Sequence, residues 1–146
     1  MFAVFRPLQM NYYGGFSRGG AKTEKTGIKS HERKRIIVAT SAKIRDEEKC
    51  IAAMENIVKN AHSKSGTKSH FWCKGNDGKS LMILEQYEDE KALIELAITD
   101  EYADSDFTVS TRITDVIIYG AVSEQTKELF AAHRPKLMNF FGGYSK

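Results

Sequence analysis

Hydrophobic and polar residues alternate along four stretches of the chain and recur at helical spacing along three others. From Ile36 to Ile44 the residues Ile36, Val38, Thr40, Ala42 and Ile44 share one face, against Ile37, Ala39, Ser41 and Lys43 on the other, which is the period of a strand. Asp46, Glu47 and Glu48 then supply an N-cap and first-turn anions. Ile51, Met54, Val58 and Ala61 follow on one side of a helix predicted over 46–63, which stops before Gly66. Two β-rich runs, 69–74 and 80–87, flank Gly75-Asn76-Asp77-Gly78, the turn chemistry of an antiparallel hairpin. A second helix is predicted over 89–103, with Leu93, Ile94, Ala97 and Ile98 inward. The stretch 109–119 alternates again, setting Val109, Thr111, Ile113, Ile117 and Tyr119 against Ser110, Arg112, Thr114, Val116 and Ile118. Ser123 can cap a third helix running to about Arg134, which Pro135 ends.

From residue 35 the order is therefore strand, helix, strand, strand, helix, strand, plus a terminal helix. This is an α+β, ferredoxin-like βαββαβ pattern: a four-stranded antiparallel sheet with both helices on one face. The helix-free face is expected to pack on another copy or to hold a ligand, because the strands offer apolar residues on both sides. Residues 1–35 carry no sustained period beyond Val4 and Phe5. The Gly, Ser, Thr and Lys content of 14–31 reads as an arm or linker, so order is predicted to begin at Arg35.

The strongest internal signal joins the two ends. Residues 1–18, MFAVFRPLQMNYYGGFSR, align without a gap on residues 129–146, LFAAHRPKLMNFFGGYSK. Phe2, Ala3, Arg6, Pro7, Met10, Asn11, Gly14, Gly15 and Ser17 recur as Phe130, Ala131, Arg134, Pro135, Met138, Asn139, Gly142, Gly143 and Ser145. Tyr12, Tyr13, Phe16 and Arg18 exchange conservatively for Phe140, Phe141, Tyr144 and Lys146. A spacing this long implies duplication of whole domains rather than stacking of short units. The chain accordingly divides into a duplicated tail segment (1–18), a basic linker (19–34), a domain (35–122), and a C-terminal helix with an aromatic tail (123–146). It reads as one unit of a tandem array; a single domain keeping two copies of a docking segment is the other reading. Either way residues 1–18 should be able to occupy the site that 129–146 occupies, in this domain or a neighbouring one. The docking tail is expected to act through Arg134, Pro135, Asn139, Phe140, Phe141, Gly142, Gly143 and Tyr144.

Composition narrows the function. The 146 residues, 41% apolar and 28% charged, suit one ordinary domain, and no apolar run approaches a membrane span. Cys50 and Cys73 are too few for a disulfide framework and lack the spacing of a zinc site, which favours a soluble protein of a reducing compartment. The net charge of +3 resides at the start: residues 1–35 hold eight Lys and Arg against Glu24 and Glu32. A basic arm before a slightly acidic body is usually a solvated tail, so nucleic acid is not the expected partner. The acid-poor start also has the composition of an organelle transit peptide. No phosphate loop, dinucleotide fingerprint, nucleophile elbow or metal-ligand cluster occurs.

Residues 35–120 resemble the antibiotic biosynthesis monooxygenase (ABM) superfamily. The likeness is carried by the first strand RIIVATSAKI, the acid-opened helix, the Gly-containing loop into HFWCK, and LEQYEDEKALIEL with its Glu85-x-Tyr87, acidic turn and Ala92-Leu93. It implies a dimeric α/β barrel in which two sheets pack through their helix-free faces. It also implies cofactor-independent oxygenation of quinol- or anthrone-type aromatics, haem degradation, or no catalysis at all. The family's helix after the third strand usually carries a histidine; 92–102 has none, which argues against haem degradation and leaves no cofactor expected.

His70, Trp72 and Lys74 share one face of the second strand. His70 is the candidate general base for a phenolic substrate, since its ordinary pKa lies near neutrality. Trp72 is a candidate stacking surface, although a strand Trp is more often core or interface. Ser41, Gln86, Arg112 and Tyr119, with Lys43, are candidate polar contacts in a cavity; Lys43 and Arg112 are otherwise expected in solvent or paired with Glu85 or Asp115. His133 has Phe5 as its counterpart, which suggests packing. The alternative to an oxygenase is a non-catalytic module that forms homodimers, or assembles with neighbouring units, through its repeated tail.

Overall fold

The computed structural model describes residues 8–18, 34–98 and 105–140. Six strands and four helices follow one another as β1 (Met10–Ser17), β2 (Ile36–Ile44), α1 (Glu47–Ser63), β3 (Thr67–Gly75), β4 (Ser80–Tyr87), α2 (Glu90–Ala97), α3 (Ser105–Ser110), β5 (Thr111–Tyr119), α4 (Glu124–Phe130) and β6 (Lys136–Met138). All six strands lie in one sheet, in the order β1-β3-β4-β2-β5-β6. The antiparallel ferredoxin-like set β3-β4-β2-β5 forms its centre.

The caps are where the charge pattern put them. The Asp46 side chain accepts from the Lys49 N–H and Asp89 from the Ala92 N–H, each taking up an orphan donor of a first helical turn. At the β3–β4 turn the Asp77 carboxylate accepts from the N–H groups of Lys79 and Ser80 and from the Ser80 hydroxyl. The buried faces of β2 and β4 meet α1 and α2 in two adjoining apolar clusters. One is built on Ile36, Val38, Tyr87, Leu93, Leu96 and Ile118; the other on Cys50, Ile57, Trp72, Leu81, Ile83 and Phe107. Among the described residues no helix is long and apolar enough to cross a membrane.

Four expectations need correction. The sheet has six strands rather than four, because the two copies of the repeated segment each add one at an edge. Order does not begin at Arg35: residues 10–17 are a strand on β3. Their Gly-Gly pair reads as loop chemistry, yet it serves close packing against the neighbouring strand. Of the predicted linker only Lys34 is described, and the tail residues Phe141, Gly142, Gly143 and Tyr144 lie outside the described residues. The second helix ends at Ala97, with a separate helix α3 taking Val109 and Ser110 out of the last central strand.

The fourth correction concerns β5. A bulge between its pairs Asp115↔Ser41 and Ile113↔Ala42 leaves Thr114 unpaired and changes the phase of the alternation. Thr111 and Ile113 therefore share the helix face with Val116 and Ile118, while Arg112, Asp115, Ile117 and Tyr119 point to the other side. After β5, α4 forms as predicted but only to Phe130. A 3-10 turn, Ala131–His133, and a left-handed Arg134 then lead through Pro135 into β6. Ser123 stands at the N-cap position without making a side-chain cap bond; its hydroxyl donates to Glu90 instead.

Candidate functional site

Strand alternation builds the site from two neighbouring strands. His70 on β3 is directly opposite Glu85 on β4, on the face that the helices cover. Trp72 and Tyr87, each two residues further along its strand, share that face. The four side chains form one hydrogen-bonded line. Trp72 Nε1 donates to His70 Nδ1 over 3.1 Å, His70 Nε2 lies 3.0 Å from Glu85 Oε1, and the Tyr87 hydroxyl donates to the same oxygen over 3.0 Å. His70 and Trp72 are 0% exposed, Tyr87 1% and Glu85 4%.

This line fixes a tautomer. An indole N–H only donates, so Nδ1 of His70 carries a lone pair and its proton sits on Nε2, donated to Glu85. Both imidazole nitrogens are thereby engaged. Burial, followed by the adjacent Glu85 charge and hydrogen bond, pushes the Tyr87 phenol well above its ordinary range, so it stays a donor. A carboxylate removed from water this far is tolerable when hydrogen bonds compensate it, and Glu85 has them on two sides.

Glu85 and Tyr87 open onto a cavity of about 380 Å³ between the sheet and the helices. Thr40, Thr111, Ile113 and Val116 complete its sheet wall. Leu93 and Ala97 of α2, Phe107 and Thr108 of α3, Leu129 and Phe130 of α4, and His133 of the turn after it line its other side. The C-terminal helix is held there by Glu90, whose carboxylate accepts from the Ser123 N–H and from the hydroxyls of Ser123 and Thr126. Burial alone would raise the Glu90 carboxyl, but these bonds bring it below its ordinary value. The result is a largely apolar chamber with one carboxylate, one phenol, one imidazole and a few hydroxyls, a composition typical of small-molecule sites.

The structure distributes the sequence candidates over both faces of the sheet. His70 and Trp72 are together behind the cavity wall, linked through Glu85 rather than lining the chamber. Ser41, Gln86, Arg112 and Tyr119 lie on the helix-free face, as their registers show: Ser41 opposite Asp115, Gln86 opposite Ser69, Arg112 opposite Lys43, and Tyr119 opposite Ile37. Lys43 reaches Asp77 and Ser80, and Asp115 meets Lys136 of β6 at 3.7 Å. Lys43 thus pairs at the β3–β4 turn rather than with Glu85 or Asp115, and Arg112 is exposed, one of its two expected placements. In the tail, Arg134, Asn139 and Phe140 are exposed and Pro135 is half-buried. His133 is exposed on the solvent side of the chamber. The residues that sequence reasoning missed are Glu85 and Tyr87 as cavity groups. Their signal was present: Leu81, Ile83, Glu85 and Tyr87 share one face of β4, which puts a carboxylate in an apolar row. Among the described residues no three His, Cys, Asp or Glu side chains gather as metal ligands.

No family model matches the sequence, and no curated protein matches it. Solved structures do. MupZ from Pseudomonas fluorescens superposes with a TM-score of 0.66 at 13% identity, over 77% of this chain and 95% of its own. SnoaB, a cofactor-independent oxygenase from Streptomyces nogalater, gives 0.54 at 7% identity, over 62% and 95%. A conserved protein from Bacteroides thetaiotaomicron gives 0.52 at 13% identity, over 59% and 96%. Over most of their own lengths these proteins thus share the α+β fold of this chain.

Proposed function

We propose that the chamber binds a planar phenolic or quinol-type aromatic and that Glu85 takes its proton, in a cofactor-independent oxygenation. The observation that carries this reading is a buried carboxylate at the wall of an apolar cavity, held by His70 from behind and by Tyr87 from the side. A phenolic substrate that loses its proton against this largely apolar wall becomes electron-rich enough to react with dioxygen itself. The protein's part is then to bind the ring and accept the proton. Phe107, Phe130 and Ile113 supply the apolar walls. His70 and Trp72 are positioning residues, which orient Glu85 without touching substrate. The fold of SnoaB, which is a cofactor-independent oxygenase, supports the reaction class.

Ser41, Gln86, Arg112 and Tyr119 take a different role in this reading. They flank Ile37, Phe71, Leu84 and Ile117 on the half-buried helix-free face, a surface suited to packing against a second copy in a homodimer. A second reading, of one unit in a tandem array that assembles through its repeated tail, is favoured by one specific observation: the first copy of that tail is a strand docked on the sheet.

The test is oxygen consumption with a panel of quinols and anthrones. Glu85→Gln preserves shape and removes the proton acceptor, so turnover should fall by about 100-fold or more while aromatic binding persists. Full activity in Glu85→Gln, or a wild-type chain that neither binds nor turns over such compounds, overturns the catalytic reading.

A further inference from the structure

The β3 edge makes exacting demands on the segment it carries. Gly15 has φ +132°, and a side chain there would bring a Cβ to 1.8 Å from the His70 carbonyl oxygen. A Cβ at Gly14 would meet the Met54 sulfur at 2.8 Å. The ring of Tyr13 packs on the cluster around Trp72, and its hydroxyl is buried with no hydrogen-bond partner. Phe16 stands edge-on to His62 at 4.9 Å and stacks over His70 at 6.5 Å. Arg18 closes the end: its backbone N–H donates to Lys68 O, and its guanidinium donates to the carbonyls of Thr67, Lys64 and His62.

Residues 138–146 satisfy the same demands. Gly142 and Gly143 keep both glycines, including the one at the Gly15 position, where a side chain would strike the His70 backbone, and Met138, Asn139 and Ser145 repeat Met10, Asn11 and Ser17. Phe141 in place of Tyr13 removes the hydroxyl that has no partner. Tyr144 keeps the ring of Phe16, and Lys146 keeps the cation of Arg18. From residue 10, where β1 begins, every position to residue 18 keeps its residue type. Just before it, Leu8 and Gln9 are replaced by Lys136 and Leu137, which open β6 instead.

We propose that the β3 edge is a receptor for this segment, and that the C-terminal tail of one copy adds to the β3 edge of another in the pose that residues 10–18 hold here. The occupant is a second copy of this chain. Met138 then stands opposite Gly75, Phe140 opposite Cys73 and Tyr144 opposite His70, as their counterparts Met10, Tyr12 and Phe16 do now. Backbone pairing supplies affinity and the glycine pair supplies selectivity, as in strand addition generally. The arrangement also puts a ring from one copy behind the His70 that holds Glu85 in the next, so one copy completes its neighbour's site. The proposal deepens the repeat-unit reading and does not depend on the chemistry proposed for Glu85.

Two experiments on the full chain test it. In Y12F/Y13F/F16Y/R18K, residues 10–18 become identical to 138–146. This variant should melt within about 2 °C of the parent, whereas a fall of more than about 5 °C shows that the edge rejects the tail sequence and overturns the proposal. The second experiment frees the edge with G15V and adds F140C. Directly opposite residues of an antiparallel pair lie within disulfide reach. Oxidation of G15V/F140C should therefore link position 140 of one molecule to Cys73 of another, and adding G143V should reduce that yield at least tenfold. A link that maps elsewhere, or one insensitive to G143V, overturns the proposal. If G15V does not fold, the four-substitution chain decides alone.

Discussion

At the β3 edge the N-terminal copy of the repeated segment runs antiparallel for eight residues, clamped by Arg18 and seated on its two glycines. At the β5 edge the described part of the C-terminal copy contributes Lys136–Met138, in parallel, with all three side chains exposed. Sequences half identical thus pair in opposite directions and through different residues. The connection explains the direction: β5 leads into β6 through α4, and a strand that returns after a helical crossover comes back parallel. The two surfaces also differ. The β3 edge offers Met54, the His62 ring and a row of carbonyls to the aromatic-Gly-Gly core of the segment, whereas β6 has Asp115 for Lys136 and a bond from the Gly120 N–H to the Met138 carbonyl. Segment identity does not fix the pairing; the receiving edge does.

The sharpest way to break this contrast is through His70, which lies on β3, the strand that receives β1. His70→Phe leaves Glu85 buried without its main partner, and should destabilise the chain by about 3–5 kcal/mol in urea titrations. Next comes Gly15→Val, where the positive φ and the nearby His70 carbonyl leave no room. A loss of about 3 kcal/mol is expected in urea titrations. A loss under about 1 kcal/mol would show that the β3 edge tolerates a side chain there.

Smaller effects sharpen it further. Arg18→Ala removes bonds to three carbonyls and should cost about 1–2 kcal/mol. Lys136→Ala removes an exposed ion pair and should cost under about 0.5 kcal/mol. Both are read from thermal melts. Finally, Tyr13→Phe installs the residue of the other copy. It should raise stability by about 0.5–1 kcal/mol at neutral pH, since a buried hydroxyl without a partner is removed.

The same substitution has a pH signature. Burial, then the charges of Cys50 and Glu47, push the Tyr13 phenol up to about 12. The fold therefore favours its protonated form. That contribution is fully present below pH 10, the ordinary tyrosine value, and is lost as pH rises towards 12. Melting temperatures measured from pH 8 to 12 should fall less steeply above pH 10 in Tyr13→Phe than in the parent. Parallel curves would show that Tyr13 does not titrate as its burial requires.

Much of the fold was legible because local chemistry and pattern agreed. Strand β2 and helix α1 were readable from alternation and from Asp46, and the β3–β4 hairpin from Gly75-Asn76-Asp77-Gly78. The candidate site was less legible for a physical reason. Alternation says which residues share a face but not which face receives the helices, so Ser41, Gln86, Arg112 and Tyr119 were grouped with His70 and Trp72 although the sheet separates them. Glu85 was visible as part of a family-like stretch and as a possible cross-sheet partner. Its role at a cavity wall depends on His70 standing opposite it.

By itself the sequence determined the order of β2, α1, β3, β4, α2 and β5, the starts of α1, α2 and α4, and the duplication of the end segments, because each is set by neighbours in the chain or by identity between its parts. The tertiary structure alone decided the bulge that changes the phase of β5, the face that holds the cavity, and the edge on which each copy pairs. Those outcomes depend on atoms far apart in sequence: the Asp115↔Ser41 register, the His70 carbonyl beneath Gly15, and the helical crossover that turns β6 parallel. No periodicity records such contacts, since their energies arise only when the layers close.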